Sequence, residues 1–375
     1  MKEKLLNLGT LTQMRAQLLS AMLERHGIES IMVHANKIEG AVGGVDVLVR
    51  EEDFLEASGI LDDFKSAFGT KKQMAVEYMR LARRILVPVD YSLHAENAAF
   101  YALNIAAAMK SDIMLLNVYL DPNLNPFSHL ETFTFAANLE QITQEVEEQT
   151  EKWLKAMAQK LKDKIKEKGI KGVNVFYDLA KDNIVSGILE YTREYKPGLV
   201  VMGPRGNKLE GLWTFGSITA KVIEKLNVPI IAVPKGFDAI TRPAPKRIVY
   251  ATGFDETDFW SLSRLATFAH PFDAQIYCLH VSETIEKQEE ANMRKMRKFI
   301  AENLGLANIE CGLLECLDLQ LCLEDFVKEK EIDIVAMTTH HRNLFTQLYR
   351  PSQTRKMLFH TDVPLLVFHA GPYVK

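Results

Sequence analysis

The sequence contains no long uninterrupted hydrophobic segment. Its longest apolar runs, such as 113–118 and 199–202, end far short of the ~20 residues that a membrane-spanning helix requires. The N-terminus has charged residues but neither the continuous apolar stretch nor the small-residue cleavage site of a secretion signal. We therefore expect no transmembrane segment, no membrane partner and a cytoplasmic protein.

An excess of positive charge is also absent, because the 375 residues carry a formal net charge of -4. Nucleic-acid affinity depends on a basic face that displaces counterions, so we expect no nucleic-acid partner. The four cysteines, Cys278, Cys311, Cys316 and Cys322, form no C-x-x-C pair, which argues against structural zinc. Cys278 and Cys311 lie in apolar runs and are predicted to be small, buried, reduced side chains. The sequence assigns the four cysteines no function.

The chain contains an internal repeat. RRILVPVDYS at 83–92 resembles KRIVYATGFD at 246–255, and three further matches follow in the same order. They pair DIMLLNVY from 112 with AQIYCLHV from 274, PGLVVMGPRG from 197 with IDIVAMTTHH from 332, and NVPIIAV from 227 with DVPLLVF from 362. Two homologous domains are the economical explanation.

Within each copy, short apolar runs alternate with longer stretches of helical periodicity, for example 95–110 and 183–195. Strands covered on both faces by crossover helices appear as continuous Val/Ile/Leu runs, as these do. The sequence therefore predicts two doubly wound α/β domains, each with a five-stranded parallel sheet of order 3-2-1-4-5. The third strands are the weakest, and we place them from Val173 and from Asn308.

The residues before Arg83 are predicted to form a small α+β domain. Helical periodicity at 12–26 precedes the strand IESIMVHA, a Gly-rich turn at 40–44, the strand VDVLV and a helix from Glu52, in the order α-β-β-α. The predicted boundaries are 1–70 for this domain, 71–83 for a linker helix, 84–235 for the first copy and 246–375 for the second.

The first copy carries an insertion at 120–153. It opens with Asn and Pro turn signals and continues into a Glu-rich helix. We interpret its acidic residues as a solvated face, and a lid or a dimer contact is the alternative.

Two glycine-rich segments follow the fourth strand of the first copy. GPRG at 203–206 and GSIT at 216–219 give the spacing G-x2-G-x9-G-S. Glycines let the backbone approach a phosphate, and a Gly-Ser pair opening a helix presents free N–H groups at the positive end of the helix dipole. Ser217 and Thr219 can add hydroxyl donors, and Arg205 a charge-assisted contact. The alternative is that the glycines only shape a turn.

A second signal comes from the first strand, which ends in Pro88-Val89-Asp90. In a sheet of order 3-2-1-4-5 the first and fourth strands flank the topological switch point, where ligands bind. Asp90 and Gly203 are therefore predicted to face one crevice.

Pro88-Val89-Asp90, Asn117-Val118 and the G-x2-G-x9-G-S run resemble the nucleotide-binding pattern of the universal stress protein family. The resemblance extends over both copies. It implies that Pro88, Asp90 and Val118 surround adenine and ribose, and that ribose and phosphates contact Met202, Gly203, Gly206, Gly216, Ser217, Ile218 and Thr219.

The ligand implied by this resemblance is ATP, with or without magnesium, and the implied role is regulatory. We expect the two copies to pair within the chain, with a homodimer as a further option. The segments HGIESIMV and GGVDVLVREEDFLEASGIL resemble a small prokaryotic signal-transducing module, which implies regulation and a protein partner of unknown identity.

The second copy departs from the phosphate-binding pattern. Thr338 aligns with Gly203, His341 with Gly206, Pro351 with Gly216, Ser352 with Ser217, and Gly253 with Asp90. Side chains at the glycine positions obstruct a phosphate, and proline lacks the N–H donor. We therefore expect one competent site per chain. The run His340-His341-Arg342 could form an anion or metal cluster, but we favour a surface loop.

Signatures of catalysis are missing from the sequence. GLWTFGS at 211–217 lacks the P-loop lysine, and neither a His-Glu-x-x-His motif nor a supported Ser-His-Asp arrangement occurs. A regulatory ATP-binding protein is therefore preferred. A nucleotide-free dimerisation scaffold and a slow ATP hydrolase are the two alternatives.

Overall fold

The computed structural model describes residues 5–11, 16, 19–20, 23, 26–34, 45–68, 84–119, 133–203, 217–242, 244–304, 308–339 and 362–369. They belong to two compact units, one within residues 1–77 and the other within residues 78–371. The predicted linker helix at 71–83 lies outside the described residues.

The N-terminal unit has a three-stranded antiparallel sheet. Its strands β1 (Leu5–Leu11), β2 (Ser30–His34) and β3 (Val45–Arg50) have the order β1-β3-β2, and α1 (Phe54–Phe68) follows them. Between β1 and β2, the helical residues Ala16, Leu19 and Leu23 are fully buried. Their spacing is that of one helix face, because residues three or four apart lie on the same side of a helix.

The predicted order α-β-β-α of this unit is wrong at its start, because β1 precedes the helical residues. The β1 segment LLNLGTL has one buried side chain, Leu8, and lacks the continuous apolar run by which the other strands were located. Pairing with β3, from Leu5 opposite Arg50 to Leu11 opposite Val45, holds it in the extended state. This long-range pairing left no local signal in the sequence.

The larger unit alternates strands and helices. Its first half contains β4 (Arg84–Pro88), α2 (Leu93–Met109), β5 (Asp112–Tyr119), α3 (Phe133–Glu167), β6 (Val175–Lys181), α4 (Ile184–Tyr195), β7 (Leu199–Met202), α5 (Ser217–Lys225) and β8 (Ile230–Ala232). Its second half contains β9 (Arg247–Ala251), α6 (Glu256–Ala269), β10 (Gln275–Ser282), α7 (Lys287–Asn303), β11 (Ile309–Glu315), α8 (Leu319–Glu329), β12 (Ile334–Thr339) and β13 (Leu365–His369).

All ten strands of this unit belong to one mixed sheet of order β11-β10-β9-β12-β13-β8-β7-β4-β5-β6. Neighbours are parallel except β8 and β13, which pair antiparallel with Ile231 opposite Leu366. The sequence predicts two domains, each with a five-stranded sheet of order 3-2-1-4-5. The structure joins the two sets of five described strands into one sheet, because backbone hydrogen bonds between β8 and β13 continue the ladder from one half into the other.

The strands of this sheet are buried and apolar. Ile85, Leu86 and Val87 in β4 are completely buried, as are Ile248, Val249 and Tyr250 in β9. The predicted Glu-rich helix of the insertion is present as α3, while residues 120–132 lie outside the described part of the chain. Of the helices that the structure describes, none is long and apolar enough to cross a membrane.

Candidate functional site

A crevice opens at the carboxyl ends of β4 and β7. Its lining consists of Pro88, Val89, Asp90, Ser92, Ala95, Leu116, Val118, Ile184, Ile188, Met202, Gly203 and Ile218. Its enclosed space is about 40 Å³, and the rest of the opening is continuous with solvent. The crevice lies at the switch point of the strand order, where open α/β sheets bind ligands.

The structure brings together six of the residues predicted from the sequence. Those that line the crevice are Pro88, Asp90, Val118, Met202, Gly203 and Ile218. Ser217 begins α5, and the Thr219 side chain is buried behind the crevice. Arg205, Gly206 and Gly216 lie outside the described residues.

The Asp90 carboxylate is held by the first turn of α2. Its Oδ1 accepts hydrogen bonds from the backbone N–H of Ser92 at 3.0 Å and from the Ser92 hydroxyl at 2.5 Å. Ser92 is the N-cap of α2, and its Oγ accepts from the backbone N–H of Ala95. A helix start of this kind satisfies its own N–H groups and fixes the side chains around it. Asp90 therefore has a defined position at the crevice wall.

Gly203 lies at a point where two backbones touch. A Cβ atom on this residue would come within 2.6 Å of the carbonyl oxygen of His94, which belongs to the first turn of α2. The hydroxyl of Thr219 donates to the Gly203 carbonyl oxygen at 2.9 Å. The end of β7, the start of α2 and the start of α5 thus meet at Gly203, and only glycine fits there.

A hydrogen bond and a close helix–strand contact outside the crevice hold its floor and its apolar wall in place. The buried Asn117 donates through Nδ2 to the Val89 carbonyl oxygen at 2.9 Å and holds the turn before Asp90. On the opposite side, α4 lies so close to β5 that a Cβ atom on Gly187 would be 2.7 Å from Cγ1 of Val118. This close approach brings Ile184 and Ile188 into the wall.

Five lining residues were not anticipated from the sequence: Ser92, Ala95, Leu116, Ile184 and Ile188. Ser92 follows Asp90 by two residues and precedes a helix, which is an N-cap pattern that could have been recognised. Ile184 and Ile188 are four residues apart at the start of a helix and share one face. Nothing in the sequence singles out Ala95 as a lining residue, because alanine is common in helices.

The second half contains the topologically equivalent position at the ends of β9 and β12. In the registers of the sheet, Ile85 lies opposite Leu199, and Ile248 lies opposite Ile334. Counting from these pairs places Thr338 at the position of Gly203, and Gly253 at that of Asp90. His340, His341, Arg342, Pro351 and Ser352 lie outside the described residues.

Side chains of the second half fill this position with a buried polar network. Asp258 is only 3% exposed, and its Oδ1 accepts from the Tyr250 hydroxyl at 2.7 Å. Its Oδ2 accepts from the Thr252 hydroxyl at 2.8 Å and from the backbone N–H groups of Gly253 and Asp255. The hydroxyls of Tyr250 and Thr338 are 2.6 Å apart. Burial, and next the charge of Asp258, raise the pKa of Tyr250 well above its usual range.

A histidine continues the network. His280 Nδ1 is 2.8 Å from the Thr252 carbonyl oxygen, so it occupies the role that Asn117 has in the first half. Its Nε2 is 3.1 Å from Oε1 of Glu289, and its ring stacks on Phe254 at 4.3 Å between centroids. A hydrogen bond from the backbone N–H of Glu286, and next that from His280, lower the pKa of Glu289.

The fold and the crevice define the class of doubly wound α/β proteins with an opening at the switch point. Within that class, residues 82–234 match the model of the Universal stress protein family. This segment is therefore a universal stress protein domain.

Individual relatives agree with this assignment. A universal stress protein of Methanocaldococcus jannaschii is 25% identical over 155 residues, which are 41% of this chain and 84% of the relative. The crystal structure of a universal stress protein from Archaeoglobus fulgidus aligns with 77% of this chain and 97% of its own, at 16% identity and a TM-score of 0.56. A solved structure from Pseudomonas aeruginosa aligns with 78% of this chain and 94% of its own, at 16% identity and a TM-score of 0.50. At such identities the two structures indicate a shared fold.

Proposed function

We propose that the crevice of the first half binds ATP and that the protein acts as a nucleotide-dependent regulator in the stress response. The observation that carries this proposal is the convergence of six predicted residues, from β4, β5, β7 and α5, on one crevice at the switch point. The strand order brings the equivalent residues of the second half together as well, but there side chains fill the space, whereas in the first half they leave it open.

The chemistry of the crevice walls suits an adenine nucleotide. Val118, Ile184 and Ile188 offer an apolar surface for the purine. The Asp90 carboxylate, fixed by Ser92, is a hydrogen-bond acceptor suited to a ribose hydroxyl. Gly203 and the N-terminus of the nine-residue helix α5, which begins at Ser217, form the phosphate end of the proposed site. The sequence pattern assigns phosphate contacts to Arg205, Gly206 and Gly216 as well, which lie outside the described residues.

Thr219 has a different role from the predicted phosphate donor. Its hydroxyl proton is already used in the hydrogen bond to the Gly203 carbonyl oxygen, and its side chain is fully buried. In the proposed site Thr219 holds the end of β7 against α5, and it stabilises the phosphate end without contacting the ligand.

We further propose that residues 246–375 are a second, altered copy of the same domain. The strand order β11-β10-β9-β12-β13 repeats β6-β5-β4-β7-β8, and the fold likeness to the Archaeoglobus fulgidus protein covers 77% of the chain, well beyond residues 82–234. Because Asp258 and its partners fill the second crevice, the stoichiometry is one nucleotide per chain. The N-terminal unit then contacts an unidentified protein partner, in a cytoplasmic setting.

Calorimetric titration of the full chain with ATP, with and without magnesium, tests the proposal. We expect one binding event per chain, abolished in a Gly203→Val, Gly216→Val double variant. A matched Thr338→Val variant in the second half keeps the affinity of the parent protein, and circular dichroism checks that each variant is folded. No heat from the parent protein, and no nucleotide released on its denaturation, would refute ATP binding.

The antiparallel pairing of β8 with β13 favours one other function, a nucleotide-free scaffold, because this pairing involves no residue of the crevice. A null titration with a chain that remains folded would support the scaffold. Phosphate release assayed in the same samples tests for slow hydrolysis, which must disappear in the glycine double variant.

A further inference from the structure

All four cysteines of the chain lie between residues 278 and 322, and the structure divides them into two pairs. Cys316, directly after β11, is disulfide-bonded to Cys322 in the first turns of α8, with a Cα–Cα distance of 6.6 Å. Cys278 and Cys311 lie opposite each other on β10 and β11 and are free thiols. The disulfide could not be predicted from the sequence, because Cys316 and Cys322 are separated by six positions and form no C-x-x-C motif.

The geometry of the first half explains why this bond can form. Asp182 follows β6 directly, as Cys316 follows β11, and Gly187 is the fourth residue of α4, as Cys322 is of α8. A Cβ atom on Gly187 would lie 3.2 Å from Cβ of Asp182. Disulfides need Cβ atoms about 3.8 Å apart. The same close approach of helix and strand end that accommodates a glycine in the first half therefore accommodates a disulfide in the second.

The two cysteine pairs differ in accessibility. Cys316 and Cys322 are half-buried, and the neighbouring Leu317 is 83% exposed. Cys278 is completely buried, and its hydrogen bond with Cys311, together with burial, raises its pKa. A small reagent can reach the bonded pair but not the thiol of Cys278. The buried thiol of Cys278 thus provides an internal control for the half-buried disulfide.

The bonded pair has the properties of a reversible disulfide. A cross-link constrains the unfolded chain less when the loop it closes is short, so a purely structural role would gain less here than across a long loop. Accessible disulfides are the labile ones, and in a reducing cytoplasm they are transient and redox-sensing. We propose that Cys316 and Cys322 form a redox site that exchanges electrons with small-molecule thiols and disulfides.

The reaction is thiol–disulfide exchange. The thiolate of a small thiol attacks one sulfur of the Cys316–Cys322 bond, forms a mixed disulfide and releases the other cysteine as a thiolate, which takes up a proton. A second small thiol then attacks the mixed disulfide and releases the first cysteine. Two small thiols are oxidised to one small disulfide, and the protein disulfide is reduced to two thiols. The reverse sequence oxidises the protein.

The structural element that responds is α8. In the second half α8 corresponds to α4, whose Ile184 and Ile188 form one wall of the open crevice. The disulfide fastens the first turns of α8 to the end of β11, and Leu323, directly after Cys322, is 1% exposed. Reduction leaves the helix start held by this packing and by hydrogen bonds to Asp318, whose carbonyl oxygen accepts from the Cys322 N–H and whose Oδ1 accepts from the Leu321 N–H. Its amide hydrogens then exchange faster.

Redox titration of the full chain tests the proposal. The protein is equilibrated in buffers of different ratios of reduced to oxidised glutathione, quenched with an alkylating reagent and analysed by peptide mass spectrometry. We expect Cys316 and Cys322 to change together from bonded to alkylated as the ratio rises, while Cys278 and Cys311 are thiols throughout. A bond that persists in fully reduced glutathione, or thiols that stay unpaired in fully oxidised glutathione, would overturn the redox site.

Two variants distinguish this site from a general response of the cysteines. Cys311→Ser removes a half-buried thiol on the same strand and must leave the transition at Cys316 and Cys322 unchanged. Cys322→Ser must convert Cys316 into a mixed disulfide with glutathione under oxidising conditions. Hydrogen exchange of the parent protein then measures the exchange rates of the α8 amide hydrogens. Equal rates in the oxidised and the reduced state would contradict the proposal that the disulfide restrains this helix.

Discussion

The two crevices of the large unit share one backbone arrangement and differ in a few side chains. In the first half, Ala95 and Gly203 leave the space between β4, β7 and α2 open. In the second half, Asp258 and Thr338 stand at these positions, and with Tyr250 they fill the space. The comparison shows that one side chain in the first turn of a helix, together with the strand residues that hydrogen-bond to it, can fill the space at the switch point while the strand order stays the same.

The closed crevice is stable because hydrogen bonds from the protein take the place of water at its buried carboxylate. Asp258 accepts hydrogen bonds from two hydroxyls and two backbone N–H groups. Val87 and Val89 are the residues of the first half at the positions of Tyr250 and Thr252. The first half therefore lacks the two hydroxyl donors that help to hold the carboxylate in the second half.

Among the changes that test the difference between the two crevices, Asp258→Ala is expected to have the largest effect. The substitution leaves two hydroxyls and two N–H groups of the second half without their acceptor, and each unsatisfied buried group costs about 1–3 kcal/mol. We expect the free energy of unfolding to fall by about 3 kcal/mol or more, measured by urea denaturation. Glu256→Ala, at an exposed position of the same helix, serves as the control. Similar values for both variants would contradict the role of the network.

The reciprocal change, Ala95→Asp, transplants the carboxylate into the open crevice. Ala95 lies at the third position after its N-cap Ser92, as Asp258 does after Asp255. The new carboxylate occupies the ligand space without the two hydroxyl donors that Asp258 has in the second half. We therefore expect the ATP affinity to fall about 100-fold, or about 2.7 kcal/mol, by calorimetry. The smaller Ala95→Ser change should retain most of the affinity. Unaltered binding by the aspartate variant would place the ligand elsewhere.

Tyr250→Phe tests the same network with a smaller expected loss. Removing one hydroxyl from its bonds to Asp258 and Thr338 should lower the free energy of unfolding by about 1–2 kcal/mol near neutral pH. The pKa of Tyr250 is raised in the folded state, whereas an unfolded tyrosine titrates near pH 10. The stability gained from the neutral side chain is therefore present below pH 10 and is lost as the pH rises above it. The difference between parent and variant should shrink above pH 10, and a constant difference would contradict this assignment.

The smallest effect is expected at the surface of the first half. Lys160 on α3 and Glu96 on α2 are 2.7 Å apart, with side-chain exposures of 56% and 25%. Exposed ion pairs contribute about 0–1 kcal/mol and are screened by salt. Lys160→Gln should therefore lower stability by less than about 0.5 kcal/mol at low salt and have no effect in concentrated salt. A larger, salt-independent loss would mean that α3 supports the first crevice in a way that the second half lacks.

Features encoded by local patterns were predictable from the sequence. The apolar runs located the strands around Ile85 and Ile248, and the glycine at 203 together with Asp90 indicated where β4 and β7 open. Those strand positions and their carboxyl-end crevice follow from rules that act on a few neighbouring residues.

Features that depend on contacts between distant residues were not predictable. The strand β1 is held by β3 across about 40 residues, and β8 joins β13 across more than 130. The buried network could not be foreseen either, since Asp258 in isolation resembles an ordinary residue of a helix N-terminus. Its acceptor role becomes visible only when Tyr250 is placed beside it.

The antiparallel pair β8–β13 has a consequence for aggregation. Apart from the buried His369, both strands consist of buried apolar residues, and either strand alone would present an unprotected sheet edge that can template pairing with another chain. Covering each with the other leaves β6 and β11 as the outer strands of the ten-stranded sheet. Each of these carries charged or exposed side chains, such as Asp178 and Glu310, which oppose edge-to-edge association. The pairing of β8 with β13 thus shields two apolar sheet edges inside a single molecule.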